Sequence, residues 1–432
     1  MNDPSLAQYL AVTGTLPKLD QLAAQTVKIG FLAPLSGPVE SWGLPGLQGA
    51  TLWAERLNAE GGLLVGKQRH PVEIISYDTL DDPERTARGA QMLVDQERVC
   101  LIMTLGGTSL RAVQPFLNAR KVLTSTLLPS DLSPDTPYLI APSETHPVYV
   151  VTGVQYLCRT QRPKSVALCA QRDAMGMPSL ATYRAAFKAE DVTLAAEVIY
   201  DPNGSEAEAE RIVAEMMAAD PDVLCWCTSY PSMVHALTEA AFKAGFTGAI
   251  LSCTADGYQQ LVDKTSRDFM EGFTFQFPDF DDPALADRAF FQQPRNFYND
   301  YIQRFPDSWS AVSWEYAAIL DLWRAAVQRA STVSPMSVLA AMKMGGQATH
   351  AFGTAQWWGR EVFGIDNALV GDWPVVQIRK GKAQIMRFAS VIAWLEEHEA
   401  LLKAEMRELG QLWQQRTADP GPVMSRRVTG GL

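Results

Sequence analysis

The sequence predicts an α/β protein of two doubly wound parallel-sheet lobes, followed by a C-terminal amphipathic helix. Three observations carry that expectation. From residue 27 onward, short continuous apolar runs alternate with segments of helical period, the pattern of strands covered on both faces by helices. The series restarts after residue 143. A length of 432 residues, 47% hydrophobic and 20% charged, supplies enough apolar surface for two cores and excludes wholesale disorder.

Residues 27–32 (VKIGFL) read as the first strand. Leu47, Ala50, Trp53, Ala54 and Leu57 follow at helical spacing, and Gly61 with Gly62 stops the helix. A strand at 72–77 leads to a helix that Asp82 caps and Pro83 opens. A strand at 99–104, a helix near 109–119 and a strand at 122–126 complete the first series. The second runs through a helix at 147–159, a strand at 165–170, a helix at 178–189 and a strand at 193–200. Ser205 and Glu208, at capping-box spacing, then open a helix, followed by strand 223–228, helix 231–244 and strand 249–252. Beyond Phe273 the regularity falls away. Helices are expected at 284–305, 312–330 and 335–344, and 374–379 with 384–388 form a hairpin around Gly381. Val391, Leu395, His398, Leu402, Met406, Leu409 and Trp413 step by three and four residues, giving one long amphipathic helix for packing on the body or for a dimer contact. The tail after Arg416, rich in Pro and Gly, reads as disordered.

Composition narrows the function. With 37 Lys+Arg against 48 Asp+Glu the net charge is −11, and no basic run exists to follow a phosphate backbone, so nucleic acid is not the expected partner. The most apolar stretch, 148–158, is about half the roughly 20 residues a membrane span needs. At the N-terminus Asp3 and Pro4 stand where an export signal carries positive charge, so the chain as written is expected either to be a trimmed, mature form or to stay in the cytoplasm. The six cysteines are too few for a disulfide framework and read as buried thiols, with Cys225 and Cys227 on one face of a strand. There is no CxxC pair and the five histidines are scattered, so no metal and no cofactor is expected. No nucleophile elbow, phosphate loop, HExxH or GxGxxG occurs, and glycines 43, 46 and 49 have the wrong spacing for a dinucleotide site. Asp78, Asp81 and Asp82, at a strand end and a helix cap, read as structural. The expectation is therefore that the protein is not an enzyme.

Residues 27–62 (VKIGFLAPLSGPVESWGLPGLQGATLWAERLNAEGG) resemble the start of the type I periplasmic binding proteins, in the branch of the leucine/isoleucine/valine-binding protein. Tyr77 with Asp78, Asp82 and Pro83, Gln114-Pro115, residues 173–176, residues 228–231, Ala244-Gly245 and residues 255–257 continue the match, which covers roughly 27–388. The resemblance implies that residues 27–143 with 277–370 form lobe one and 144–276 with 371–388 lobe two, with 389–416 as the added helix and 1–26 and 417–432 as extensions. It places three hinge crossings near 143–147, 273–278 and 371–374, and implies capture of a small molecule in the cleft between the lobes. The expected partners are that ligand and the permease of an ABC importer, the expected location is the periplasm, and the expected state is a monomer or weak dimer. A cytoplasmic sensor for small amides is the alternative. The disulfide of the leucine/isoleucine/valine-binding protein has no counterpart, since neither Asp81 nor the position near Ser109 is Cys.

Loops at the C-terminal ends of strands hold ligands in such a cleft, and a ligand carboxylate favours a helix N-terminus. The run Gly106-Gly107-Thr108-Ser109 has that placement and matches the family's carboxylate-binding loop, so Thr108 and Ser109 are expected to donate hydroxyl hydrogen bonds, with simple helix capping as the alternative. Leu128 and Ser130 match the second ligand loop of lobe one, and Trp42 the aromatic beside the ligand. From lobe two, Met175 stands where many relatives carry Tyr or Trp, and Tyr230 matches an aromatic packed on the ligand. A thioether in place of an aromatic hydroxyl enlarges an apolar wall and favours a hydrophobic or aromatic ligand. Asp256 aligns, after a shift of one residue, with the acid that relatives place on a ligand ammonium group.

Overall fold

The computed structural model describes residues 25–417 except 38, 144, 145, 203 and 287–293. The expected extensions, and the tail read as disordered, thus lie outside the described residues apart from 25, 26 and 417.

The first lobe opens with β1 (Val27–Ala33), α1 (Glu40–Ala59), a small hairpin of β2 (Leu63–Val65) and β3 (Gln68–His70), and β4 (Val72–Asp78). It continues through α2 (Pro83–Gln91), β5 (Ile102–Thr104), α3 (Thr108–Ala119), β6 (Thr124–Ser125) and β7 (Leu139–Ile140). Its sheet has the order β4-β1-β5-β6-β7, parallel throughout. The second lobe contributes α4 (Val151–Gln161), β8 (Ser165–Gln171), α5 (Gly176–Ala189), β9 (Thr193–Tyr200), α6 (Glu206–Met217) and β10 (Val223–Cys225). There follow α7 (Pro231–Lys243), β11 (Ala249–Leu251), the short α8 (Tyr258–Lys264) and α9 (Arg267–Met270), and β12 (Thr274–Phe275). The chain then builds α10 (Pro294–Arg304), α11 (Glu315–Ala330), α12 (Pro335–Lys343), β13 (Gln347–His350), β14 (Gly353–Trp358) and α13 (Arg360–Phe363). It ends in β15 (Ala368–Arg379), β16 (Lys382–Ser390), α14 (Val391–Glu408) and α15 (Trp413–Thr417).

Local chemistry explains the element ends. The Asp82 carboxylate accepts the Arg85 N–H at 2.7 Å, the Ser205 hydroxyl accepts from Glu208 N at 3.3 Å, and Gly61 and Gly62 turn the chain at φ +96° and +87°. The glycines at 46 and 49 serve helix packing. A Cβ on Gly49 would lie 1.8 Å from the Ser313 carbonyl oxygen and one on Gly46 2.5 Å from the Tyr316 ring, so α1 sits directly on the start of α11. Three expectations need correction. Within the described residues, the helix expected over 284–305 is a 3-10 turn at Pro283–Leu285 and then α10, while 287–293 lie outside them. The helix expected from 147 begins as a 3-10 turn at Val148–Val150. The long C-terminal helix stops at Glu408, because Gly410 takes φ +71° and breaks the run before Trp413.

The second sheet is mixed, with the order β13-β14-β15-β12-β11-β10-β8-β9 and β16 on β15. β15 is the element that joins the lobes. Its first half pairs with β14 through Ala368–Gly371 and meets the first sheet at the Ala141–Ala368 bridge, and its second half pairs with β12 and β16. The changeover falls at residues 371–374.

α14 lies across both lobes. Toward the second lobe, Lys188 Nζ on α5 is 2.6 Å from Glu405 Oε1 and Arg184 Nη1 is 2.9 Å from Glu408 Oε1. Toward the first, Trp358 Nε1 on β14 donates to Glu399 Oε1 at 2.9 Å, and Lys403 pairs with Glu361 on α13. Beneath these polar ties Trp394, Leu402 and Met406 are buried, and Leu402 and Met406 expose 0% and 1% of their surface. The helix thus packs on the body. Leu402→Ala should cost about 2–5 kcal/mol of stability by cavity formation, whereas Glu408→Ala, at an exposed pair, should stay within about 0.5 kcal/mol, both read from urea unfolding. Equal effects would mean that α14 is held by charge and not by packing.

All six cysteines are thiols, five of them buried and Cys100 half-buried. Cys225 and Cys227 belong to the same core, but Cys227 has left the strand at φ +47°. Burial raises the Cys100 thiol to about 12, further reducing its reactive thiolate. Thiol titration should therefore find all six groups only after denaturation, with Cys100 the first to react; fast labelling of a second thiol in the native protein would contradict this packing.

Candidate functional site

Each lobe turns its strand C-termini toward the other, and the loops at those ends form the cleft. After β5, Gly106 and Gly107 adopt φ +107° and +91° and deliver the chain into α3. Only glycine fits at 106, where a Cβ would lie 2.3 Å from Thr126 Oγ1 and 2.5 Å from Asp131 Oδ2. Asp131 fixes this corner. Its side chain, 1% exposed, accepts from Gly107 N at 2.8 Å, Thr126 Oγ1 at 3.0 Å and Arg111 Nε at 3.0 Å. It binds the 106–109 loop to the loop after β6, which carries Leu128 and Ser130.

The eight expected site residues separate as follows. Gly107 occupies the N-cap of α3, so neither Thr108 nor Ser109 caps it. Thr108 is exposed, whereas Ser109 is buried and donates its hydroxyl to Asp81 Oδ1 at 2.8 Å. Leu128 and Ser130 are buried, and the Ser130 hydroxyl reaches over to the Ala174 carbonyl of lobe two at 3.3 Å. Trp42, on the first turn of α1 and 4% exposed, packs edge-on against Tyr230 with ring centroids 5.5 Å apart. Met175 is buried ahead of α5, its N–H on Asp173 Oδ1 at 2.9 Å, and the same oxygen accepts Gly176 N at 2.7 Å. Tyr230 N donates to Gln171 Oε1 at 2.9 Å, and burial beside the negative charges of Asp173 and Asp81 raises its phenol above the ordinary range.

Asp256 holds the cross-cleft contact. Its Oδ2 accepts the Trp42 indole N–H at 3.0 Å and its Oδ1 accepts Ala311 N at 2.8 Å, both donors belonging to lobe one. Its own carbonyl accepts from His235 Nε2 at 2.7 Å, steadying the loop before Gly257, which takes φ +67°. Burial raises the Asp256 pKa, opposed by these two hydrogen bonds. The carboxylate expected to meet a ligand ammonium group thus accepts from Trp42 and from the Ala311 backbone.

Three contributors were not foreseen. Asp81, read as structural, is the acceptor of Ser109 and stands at φ +52° on the cleft rim. Asp131 ties the 106–109 loop to the loop after β6, and the Ala311 backbone N–H completes the Asp256 contact. Asp81 meets Ser109 only through folding, 28 positions away along the chain, and backbone donors such as Ala311 leave no mark in side-chain pattern, so no sequence signal marks either. Among the described residues no group of three or more His, Cys, Asp or Glu side chains could hold a metal ion. No helix among them is long and apolar enough to cross a membrane.

Two α/β lobes whose strand-end loops face each other, with β15 running from one to the other, give a two-lobed architecture with a cleft. The chain belongs to the periplasmic binding protein family, whose model matches residues 26–383, and it has the type I fold. An ABC transporter substrate-binding protein from Aeropyrum pernix is similar in structure, with TM-score 0.73 and 16% identity over 88% of this chain and 99% of that one. The branched-chain amino acid transporter substrate-binding protein of Streptococcus pneumoniae, solved with isoleucine, has TM-score 0.65 and 16% identity over 84% of this chain and 99% of that one. A solute-binding protein of an ABC transporter from Rhodopseudomonas palustris, solved with p-hydroxybenzoic acid, has TM-score 0.67 and 17% identity over 85% of this chain and 97% of that one. No curated protein sequence is a significant match to the chain.

Trp42→Phe keeps the ring and removes the donor to Asp256. Each of Trp42→Phe and Asp256→Asn should lower affinity for a cleft ligand by about 1–3 kcal/mol, the cost of a hydrogen bond to a charged group. Because both act on one contact, calorimetry on the double variant should show less than the sum. Strict additivity would mean that the two residues act separately.

Proposed function

We propose that the protein is a solute-binding receptor that captures a small organic acid, of the amino acid or aromatic acid class, and presents it to the permease of an ABC importer in the periplasm. The observation that carries this reading is the arrangement around Ser109. A glycine-led loop delivers α3 with its free N–H groups toward the cleft, and the loops of Leu128 and Ser130 from the same lobe and of Met175 and Tyr230 from the other lie about it. A carboxylate on the first turn of α3 gains from backbone donors and the helix dipole. Trp42, Leu128, Met175 and Tyr230 supply apolar surface for the remainder of the ligand.

The roles divide by lobe. Ser109 and Ser130 serve the head group, exchanging their present acceptors Asp81 and Ala174 for the ligand. Asp256 serves closure through Trp42 and Ala311, and an amino acid ammonium group would share that carboxylate or use Asp81. The isoleucine and hydroxybenzoate complexes of the similar structures support both ligand classes equally. Nothing in the site asks for catalysis, and the ligand is expected to leave unchanged.

A thermal-shift screen of amino acids, amides and aromatic acids identifies the class, since a ligand at 100 times its dissociation constant adds about 2.7 kcal/mol. Ser109→Ala should weaken the best ligand by about 1–3 kcal/mol while leaving the backbone donors in place. Recovery of a chemically altered ligand after incubation, or undiminished affinity in Ser109→Ala, would overturn the reading.

A further inference from the structure

A second cavity opens beside Asp256. It has a volume of about 670 Å³ and is walled by the start of α8 from lobe two and by α10 with the 306–311 loop from lobe one. Ion pairs of Arg56 with Asp300 and of Arg304 with Glu55 fasten α10 to α1, which fixes that wall to lobe one. The volume lies in the range of sites that enclose small ligands. Of the eight residues assigned to the cleft, only Asp256 reaches it.

The lining has a definite chemistry. Its charged side chains are Asp256, Asp279 and Asp307, and no lysine, arginine or histidine is among its described residues. Tyr258, Tyr298 and Trp309 add aromatic rings, the last two edge to face at 4.7 Å. Asp279 stands between them. The Tyr258 hydroxyl donates to its Oδ2 at 2.8 Å, and among the described residues no cationic side chain pairs with it. Burial, with Asp281, Asp282 and Asp256 nearby, raises its carboxyl to about 6. An anion would meet repulsion on every side. A cation would meet a carboxylate short of compensation and ring faces that attract positive charge.

We propose that this cavity is a second binding site, for an organic cation in which an amine is carried on an apolar body. The amine engages Asp279 and the body rests on Tyr298 and Trp309. Because the walls come from both lobes, opening the cleft takes the site apart. Its occupant binds the closed form selectively and, by linkage, raises the affinity of the main cleft for its own ligand.

Calorimetry on the full chain with phenethylamine, and with 3-phenylpropionate as the anion of similar skeleton, tests this. The amine should bind one to one and the acid at least about tenfold more weakly. Asp279→Asn should lower amine affinity by about tenfold or more, and Tyr298→Leu by several-fold, while Ser109→Ala, whose hydroxyl bonds Asp81 within lobe one and not across the seam, leaves the amine titration unchanged. No binding of the amine, equal binding of amine and acid, or undiminished binding in Asp279→Asn overturns the proposal. So does loss in Ser109→Ala with retention in Asp279→Asn, which would put the amine in the main cleft. If Asp279→Asn fails to fold, Tyr298→Leu decides by the same criterion.

Discussion

One carboxylate, Asp256, holds the lobes in register. Buried without partners it would be costly, and in the closed form the two donors that satisfy it are supplied by lobe one. In an open cleft water would take their place. The exchange of water for an indole N–H and a backbone N–H is close to balanced, as such exchanges are in general. A near-balanced closure is what a binding protein needs, since the ligand's own contacts then decide the population. The Trp42–Tyr230 edge contact and the Ser130–Ala174 hydrogen bond close on the same seam.

Around that seam the chain joins the two lobes in two further ways. β15 carries pairing from one lobe to the other, and β16 returns beside it to deliver α14 along both. The C-terminal helix makes polar ties to α5 on one side and to β14 and α13 on the other, over a continuous apolar stripe. It lies beyond the residues that the family model matches. The helix is thus an addition to the shared fold that ties the lobes together outside their crossings.

The parallel halves of both sheets are legible in the sequence for a physical reason. A strand covered on both faces is apolar along its length, and the turns between strands and helices carry Asp82, Ser205 and paired glycines that do one job each. The mixed part of the second sheet is much less so. β13 and β14 are four and six residues long, half-exposed and broken only by Gly353, so no period stands out. The break before α15 is a single glycine, Gly410, in an otherwise helical stripe. The 106–109 loop is readable as a loop and helix start because its glycines and hydroxyls sit in one run, whereas the Trp42–Asp256 contact joins residues 214 positions apart and leaves no pattern.

The central claim, that the two lobes close on a ligand held between them, is tested most directly by small-angle X-ray scattering of the protein alone and at ligand saturation. The account predicts a smaller radius of gyration and a shorter maximum dimension with ligand, with the scattering of the saturated protein matching the closed structure described above. Identical curves at demonstrated saturation would contradict it.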